Sequence, residues 1–288
     1  MISIRSNQLA AMINPLGAEL SSLKDAEGRE LMTDADPAFW TGRAPILFPV
    51  VGRVHDDTIL VDGERYPLGK HGFARRSMFD VAEVTPDSAV FRLVDSLETR
   101  AAYPFPFLLE MAFAIDGATL AMTATIGNIG DAPLPASFGW HPAFAWPLPY
   151  GGDRAAHRIA FERAEPGQLK RITPEGYSTP PVKPSPVSGN AFTLTDALFE
   201  DDALVWDPIE SRALRYGPPQ GPWLDIAWDA PRLGMWTKPG ARYVCVEPWH
   251  GIADPEDFAG EFRDKPGVFE IAAGDSWQCA MRVTLTLP

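Results

Sequence analysis

Cysteine is nearly absent: Cys245 and Cys279 are the only two in 288 residues. Two thiols set no disulfide framework in a chain of this length. Both lie in strand-like contexts (YVCVE and WQCAM), where a buried reduced thiol is the usual state. Long apolar runs are also missing. The longest, around Ala44–Val51, falls far short of the roughly 20 residues that cross a bilayer, so no membrane partner is expected. Met1–Asn7 shows no basic segment leading into an apolar core, so no secretory signal is read and the cytoplasm is the expected location. Positive charge is short too. Lys and Arg number 25 against 38 Asp and Glu, a formal net charge of −13. That balance excludes a nucleic-acid partner, which needs a basic footprint, and weakens the case for multiply phosphorylated ligands.

Several chemical motifs fail to appear. No Gly-x-Gly-x-x-Gly or Gly-Lys-Ser/Thr loop offers a phosphate cradle, and no Gly-x-Ser-x-Gly elbow supports acyl transfer. The five histidines share no short ligand spacing, and neither Cys-x-x-Cys nor His-Glu-x-x-His occurs. No metal and no cofactor are therefore expected.

What the chain does contain is ordinary globular material, 45% hydrophobic and 22% charged. Its length suffices to bury about 75% of the unfolded surface. Pro 29 and Gly 24 are spread throughout, which suits many short strands and disfavours long helices. Asp62-Gly63 separates Thr58–Val61 from Glu64–Leu68, and Asp116-Gly117 separates Leu109–Ile115 from Ala118–Ile126. Both are strong hairpin signals. Asp80–Val84 and Ala89–Asp95 read as a third hairpin, and short strands resume from Ala203 to Leu287. Pro180–Val187 reads as an extended surface loop. No repeat and no compositional break divides the chain, so residues 1–288 are expected to form a single all-β domain, a large, mostly antiparallel sandwich.

The stretch Ala241–Gly251 (ARYVCVEPWHG) is the most informative. At a two-residue period Arg242–Glu247 is a strand, with Tyr243, Cys245 and Glu247 on one face and Val244 and Val246 on the other. Pro248, lacking an N–H, is expected to end the ladder directly after the carboxylate. If the Asp62-Gly63 hairpin extends in simple register, Arg53 faces Gly72 and His71 lies one place along. His141 sits in Ser-Phe-Gly-Trp-His-Pro-Ala-Phe, where Gly139 permits close approach. Singly, each residue has a plain explanation: a rim carboxylate, a surface ion pair, a hydrogen-bonded core histidine. His250 reads as structural. Together, one Glu, two His and one Arg beside Trp140 and Trp249 suit proton shuffling on a neutral polyol, because indole faces are flat apolar platforms for sugar rings.

The order Phe-Pro-Val-Val-Gly-Arg53, Asp-Gly-Glu-Arg-Tyr-Pro-Leu, His71-Gly-Phe-Ala-Arg, Phe-Gly-Trp-His141-Pro-Ala-Phe and Cys-Val-Glu247-Pro-Trp resembles the aldose 1-epimerase (galactose mutarotase) family, in its LacX-like branch. The resemblance implies a galactose mutarotase-like β-supersandwich with a sugar cleft. It implies Glu247 as the base on the anomeric hydroxyl, His141 as the acid on the ring oxygen, and His71 and Arg53 as substrate holders. The family's hydroxyl-binding Asp has no clean match; Asp202 is the nearest candidate, with Asp201 beside it. A small sugar is the implied partner, acted on by a monomer or homodimer. Two rivals remain open: a hexose-6-phosphate 1-epimerase, which needs further cations such as Lys70, Arg75 or Arg76 in the cleft, and a non-catalytic carbohydrate-binding or sensor protein.

Overall fold

Turn dipeptides and prolines cut the chain into short antiparallel strands, and the computed structural model describes all of them, residues 1–288. The widest sheet has nine strands. In spatial order they are Ala191–Thr193, Arg158–Phe161, Ala213–Gly217, Trp223–Trp228, Ser276–Thr286, Thr119–Asn128, Phe107–Asp116, Ser88–Val94 and Asp80–Val84. Strict alternation defines its inner face. Phe107, Leu109, Met111, Phe113 and Ile115 are buried along one strand, and Leu120, Met122, Ala124 and Ile126 along the next. The only α-helix, Leu97–Ala102, is a short connection capped by Ser96.

A second, narrower sheet faces this one. Its central strand, Tyr243–His250, pairs on one side with Arg232–Trp236, which in turn pairs with Leu204–Trp206. On the other side it meets two fragments, Phe138–Gly139 and Ala143–Ala145. Val244, Val246, Leu233 and Met235 point into the 65-residue core shared with the wide sheet. Tyr243 and Cys245 join one small apolar cluster on the opposite face, and Trp249 joins another. Glu247 shares that outer face, between the two clusters. The expected alternation of this strand is thus found.

Two local expectations fail. The strand does not stop at Pro248 but continues to His250, with Pro248 opposite Leu233. Proline is tolerated because the ladder loses a single bond there: Trp140 N–H still donates to the Pro248 carbonyl at 3.0 Å, and only the reciprocal bond is missing. The hairpin about Asp62-Gly63 has the expected register, Val61 opposite Glu64 and Thr58 opposite Pro67, with positive φ at both turn residues. Below Asp57 the register breaks. Asp56 and Asp57 take left-handed φ values of 52° and 49°, so Arg53 does not face Gly72. Instead His71 N–H donates to the Gly52 carbonyl at 2.8 Å.

The candidate active site

The pair at its centre is made by the strand register. Gly139 lies opposite Trp249 and Ala143 opposite Cys245, so His141 falls opposite Glu247. The bonds Trp140 N–H to Pro248 O (3.0 Å) and Val246 N–H to Pro142 O (3.1 Å) flank it. That is the close, non-hydrogen-bonded type of antiparallel pair, in which side chains approach most nearly. His141 Nε2 accordingly lies 3.2 Å from a Glu247 carboxylate oxygen, with the side chains 11% and 2% exposed. Burial pushes Glu247 well above the usual carboxylate range, helped by Asp202; Lys70 and the Trp249 indole oppose this. Burial likewise lowers His141 to about 3, with Lys70 and Arg75 adding to the effect.

The two residues open onto a pocket of about 220 Å³. Its aromatic walls are Trp40, Trp236 and Trp249. The Trp40 ring lies 5.0 Å from His141, and Trp236 stands edge-on to the same imidazole at 6.1 Å. His71 also lines the pocket, and its tautomer is fixed. Gly52 N–H donates to His71 Nδ1 at 3.0 Å, which leaves the ring hydrogen on Nε2. Burial, with Lys70, His141 and Arg75 nearby, holds its pKa well below the ordinary value. His71 is therefore a neutral donor. Its own φ is +65°, and Gly52 has φ +77° with no room for a Cβ, which would lie 2.4 Å from Ala253 Cα.

Of the other expected residues, Asp202 lines the pocket while Asp201 turns to Lys183 at 3.0 Å. Arg171 holds the Asp202 loop by donating to the carbonyls of Leu198, Asp202 and Ala203, each at 3.2 Å. Arg53 is outside the lining. Its guanidinium donates to Glu175 O at 2.7 Å and pairs with Asp57 at 3.4 Å, because the left-handed residues after it turn the chain away. Its stem packs behind Gly176, which does line the pocket. Trp140 is a second correction. It is buried in the shared core, edge-on to Phe138 at 5.0 Å. Neighbours along extended backbone point to opposite sides, so with His141 on the pocket side Trp140 faces the core.

Lys70, Arg75, Trp40 and Trp236 also line the pocket. Trp236 was legible in principle: it lies opposite Cys245, on the Glu247 face. Two sets of side chains with metal-ligand chemistry also converge, each within 4.8 Å: His141, Cys245 and Glu247 in the pocket, and Asp229, His250 and Cys279 elsewhere. A larger hollow of about 430 Å³ beside Asp254 and Lys265 also has a His–carboxylate contact, His55 to Asp56 at 3.8 Å, but both of those side chains are exposed to solvent.

The Trp249 indole is held between two glycines. A Cβ on Gly234 would lie 2.4 Å from its ring, and one on Gly139 would lie 2.7 Å from it. Gly234→Ala should therefore destabilise the fold by about 1–3 kcal/mol through overpacking, and Trp249→Leu in the same chain should relieve most of that loss. Urea midpoints of the single and double variants check this. An unchanged midpoint in Gly234→Ala contradicts the packing argument.

Comparison with known proteins agrees with this architecture. Residues 1–269 match the aldose 1-epimerase family model. The plasmid-encoded protein LacX of Lactococcus lactis subsp. lactis is 27% identical, with 99% of each chain covered. A galactose mutarotase related enzyme from Lactobacillus acidophilus superposes with a TM-score of 0.92 at 30% identity, over 99% of this chain and 97% of that one. A galactose mutarotase-like protein from Lactobacillus casei ATCC 334 gives 0.92 at 28% identity, over 99% and 100%. With the fold, the motif order and the family model in agreement over nearly the whole length, this chain belongs to the aldose 1-epimerase family of isomerases.

Proposed function

We propose that the protein interconverts the α and β anomers of a free aldose, with Glu247 as base and His141 as acid. The observation that carries this reading is the 3.2 Å contact between Glu247 and His141 Nε2 at the edge of a tryptophan-walled pocket. The single proton of the pair rests on Glu247 and shifts to His141 Nε2 across their 3.2 Å contact; the Glu247 carboxylate then removes the proton from the anomeric hydroxyl while the His141 imidazolium protonates the ring oxygen. The C1–O5 bond then breaks and the open-chain aldehyde forms. Rotation about C1–C2 presents the other face of the carbonyl, and the reverse transfers close the ring. Neutral His71 donates a hydrogen bond to a sugar oxygen, Asp202 accepts from hydroxyls, and Trp249 supports the ring face.

One proton on the Glu247–His141 pair is what the exchange requires. A second proton is added only near the lowered His141 value of about 3, and the single proton leaves only above the raised Glu247 value. kcat/KM, which reports the free enzyme, should therefore show no loss as pH falls through about 6.5, the ordinary imidazole value. An acid limb centred there contradicts this charge assignment. Glu247→Gln should slow the decay of optical rotation from a pure anomer by about 10²–10⁴-fold while the protein stays folded. Equal relaxation by both proteins removes Glu247 from the chemistry. Sugar binding by calorimetry, without anomerisation by the wild type, instead favours a carbohydrate-binding or sensor role.

A second reading is favoured by one specific feature. Lys70 and Arg75 both line the pocket, and Arg75 Nε is buried without a hydrogen-bond partner. These cations suit a substrate bearing a phosphate, such as a hexose 6-phosphate. In that case Lys70→Ala and Arg75→Ala should each lower kcat/KM for glucose 6-phosphate by roughly tenfold or more while sparing glucose. Equal effects on both sugars in steady-state assays count against a phosphate subsite.

A further inference from the structure

Asp229, His250 and Cys279 take no part in the sugar pocket. His250 lies on the opposite face of its strand from Glu247 and Trp249, toward the wide sheet. Cys279 belongs to the wide-sheet strand Ser276–Thr286, and Asp229 follows directly on its neighbour, Trp223–Trp228. We propose that these three residues bind one divalent transition-metal ion of the zinc class, which joins the narrow sheet to the wide one.

The geometry supports this in three ways. The candidate ligand atoms lie within 4.8 Å of one another, with His250 Nε2 3.6 Å from Asp229 Oδ1. Tetrahedral bonds of ~2.0–2.3 Å place ligand atoms roughly 3.3–3.6 Å apart, so modest side-chain rotation closes the site. His250 Nε2 is buried and has no hydrogen-bond partner; 3.6 Å is too long for one. The donors are also oriented from outside the cluster. Ala280 N–H donates to Asp229 Oδ2 at 2.9 Å, which leaves Oδ1 toward the imidazole. The His250 ring is fixed edge-on against Trp277 at 4.7 Å. Such outer contacts are what hold ligands in place for a metal.

The donor set names the class of ion. One thiolate, one imidazole and one carboxylate suit Zn²⁺ or Co²⁺ and not Mg²⁺ or Ca²⁺, which take oxygen ligands. The Cys279 thiol proton passes to solvent as the Sγ–metal bond forms. The Asp229 side chain is 52% exposed, so the ion enters from that side and water fills the fourth position. No two of the three residues share a ligand motif, which is why spacing along the chain does not reveal the set.

The test uses the full-length protein, treated with chelator and titrated with Co²⁺. One equivalent should bind with a thiolate-to-cobalt charge-transfer band, and Zn²⁺ should displace it. Cys279→Ser should abolish the band, Asp229→Asn should weaken binding by roughly tenfold or more, and Cys245→Ser should change neither. Zn²⁺ should also raise the melting temperature by roughly 3 °C or more in wild type and leave that of Asp229→Asn almost unmoved. The exposed Asp229 position keeps the test decisive if Cys279→Ser fails to fold. Absence of the band in wild type overturns the proposal. So does a band that survives Cys279→Ser but vanishes in Cys245→Ser, which places the metal in the sugar pocket.

Discussion

His141 and Glu247 each precede a proline, and the two dipeptides run antiparallel with the two side chains directly opposite. Pro142 and Pro248 each remove one reciprocal ladder bond on either side of the pair, while the bonds Trp140 N–H to Pro248 O and Val246 N–H to Pro142 O remain. The ladder therefore thins around that pair, and the residue before a proline is held extended by sterics. Everything else in the pocket is arranged around that cross-strand contact. Gly139 and Gly234 clear space for Trp249 beside it, and the Trp40 and Trp236 rings close over His141.

Charge is distributed against the grain of the molecule. The chain carries a formal −13, yet Lys70 and Arg75 stand at the pocket. Both help keep the two imidazoles uncharged, and Lys70 also opposes the neutralisation of Glu247 by burial. Gly52 settles the His71 tautomer through its backbone N–H, which leaves His141 and Glu247 as the proton-exchanging pair of the proposed mechanism.

Much of this was legible from residue order. The faces of the Tyr243–His250 strand, the Asp62-Gly63 hairpin and the wide-sheet strands follow from period-two alternation and turn chemistry. Register across distant segments was not legible, and that is where the site is assembled. Trp140 lies in the core and not beside His141 in the pocket, because adjacent residues on extended backbone diverge. Arg53 lies outside the pocket because two consecutive left-handed residues, Asp56 and Asp57, interrupt a ladder that looks continuous in sequence. Trp40 comes from an irregular segment whose course is fixed by tertiary contacts, so no local period marks it, and Arg75, one of three cations the sequence offered for the cleft, is brought there by the single turn Ala74–Arg76.

The wide sheet also bears on how copies of the protein meet. One border strand, Asp80–Val84, is exposed along its whole length, but it carries Asp80 and Glu83, and its pairing is bulged between Val81 and Glu83. The other border strand, Ala191–Thr193, is three residues long. A kinked, acidic margin repels its own copy, and a three-residue margin offers little to template on. Neither flank lends itself to continuing the sheet from molecule to molecule, so a nine-stranded layer stays finite at high concentration without closing into a barrel.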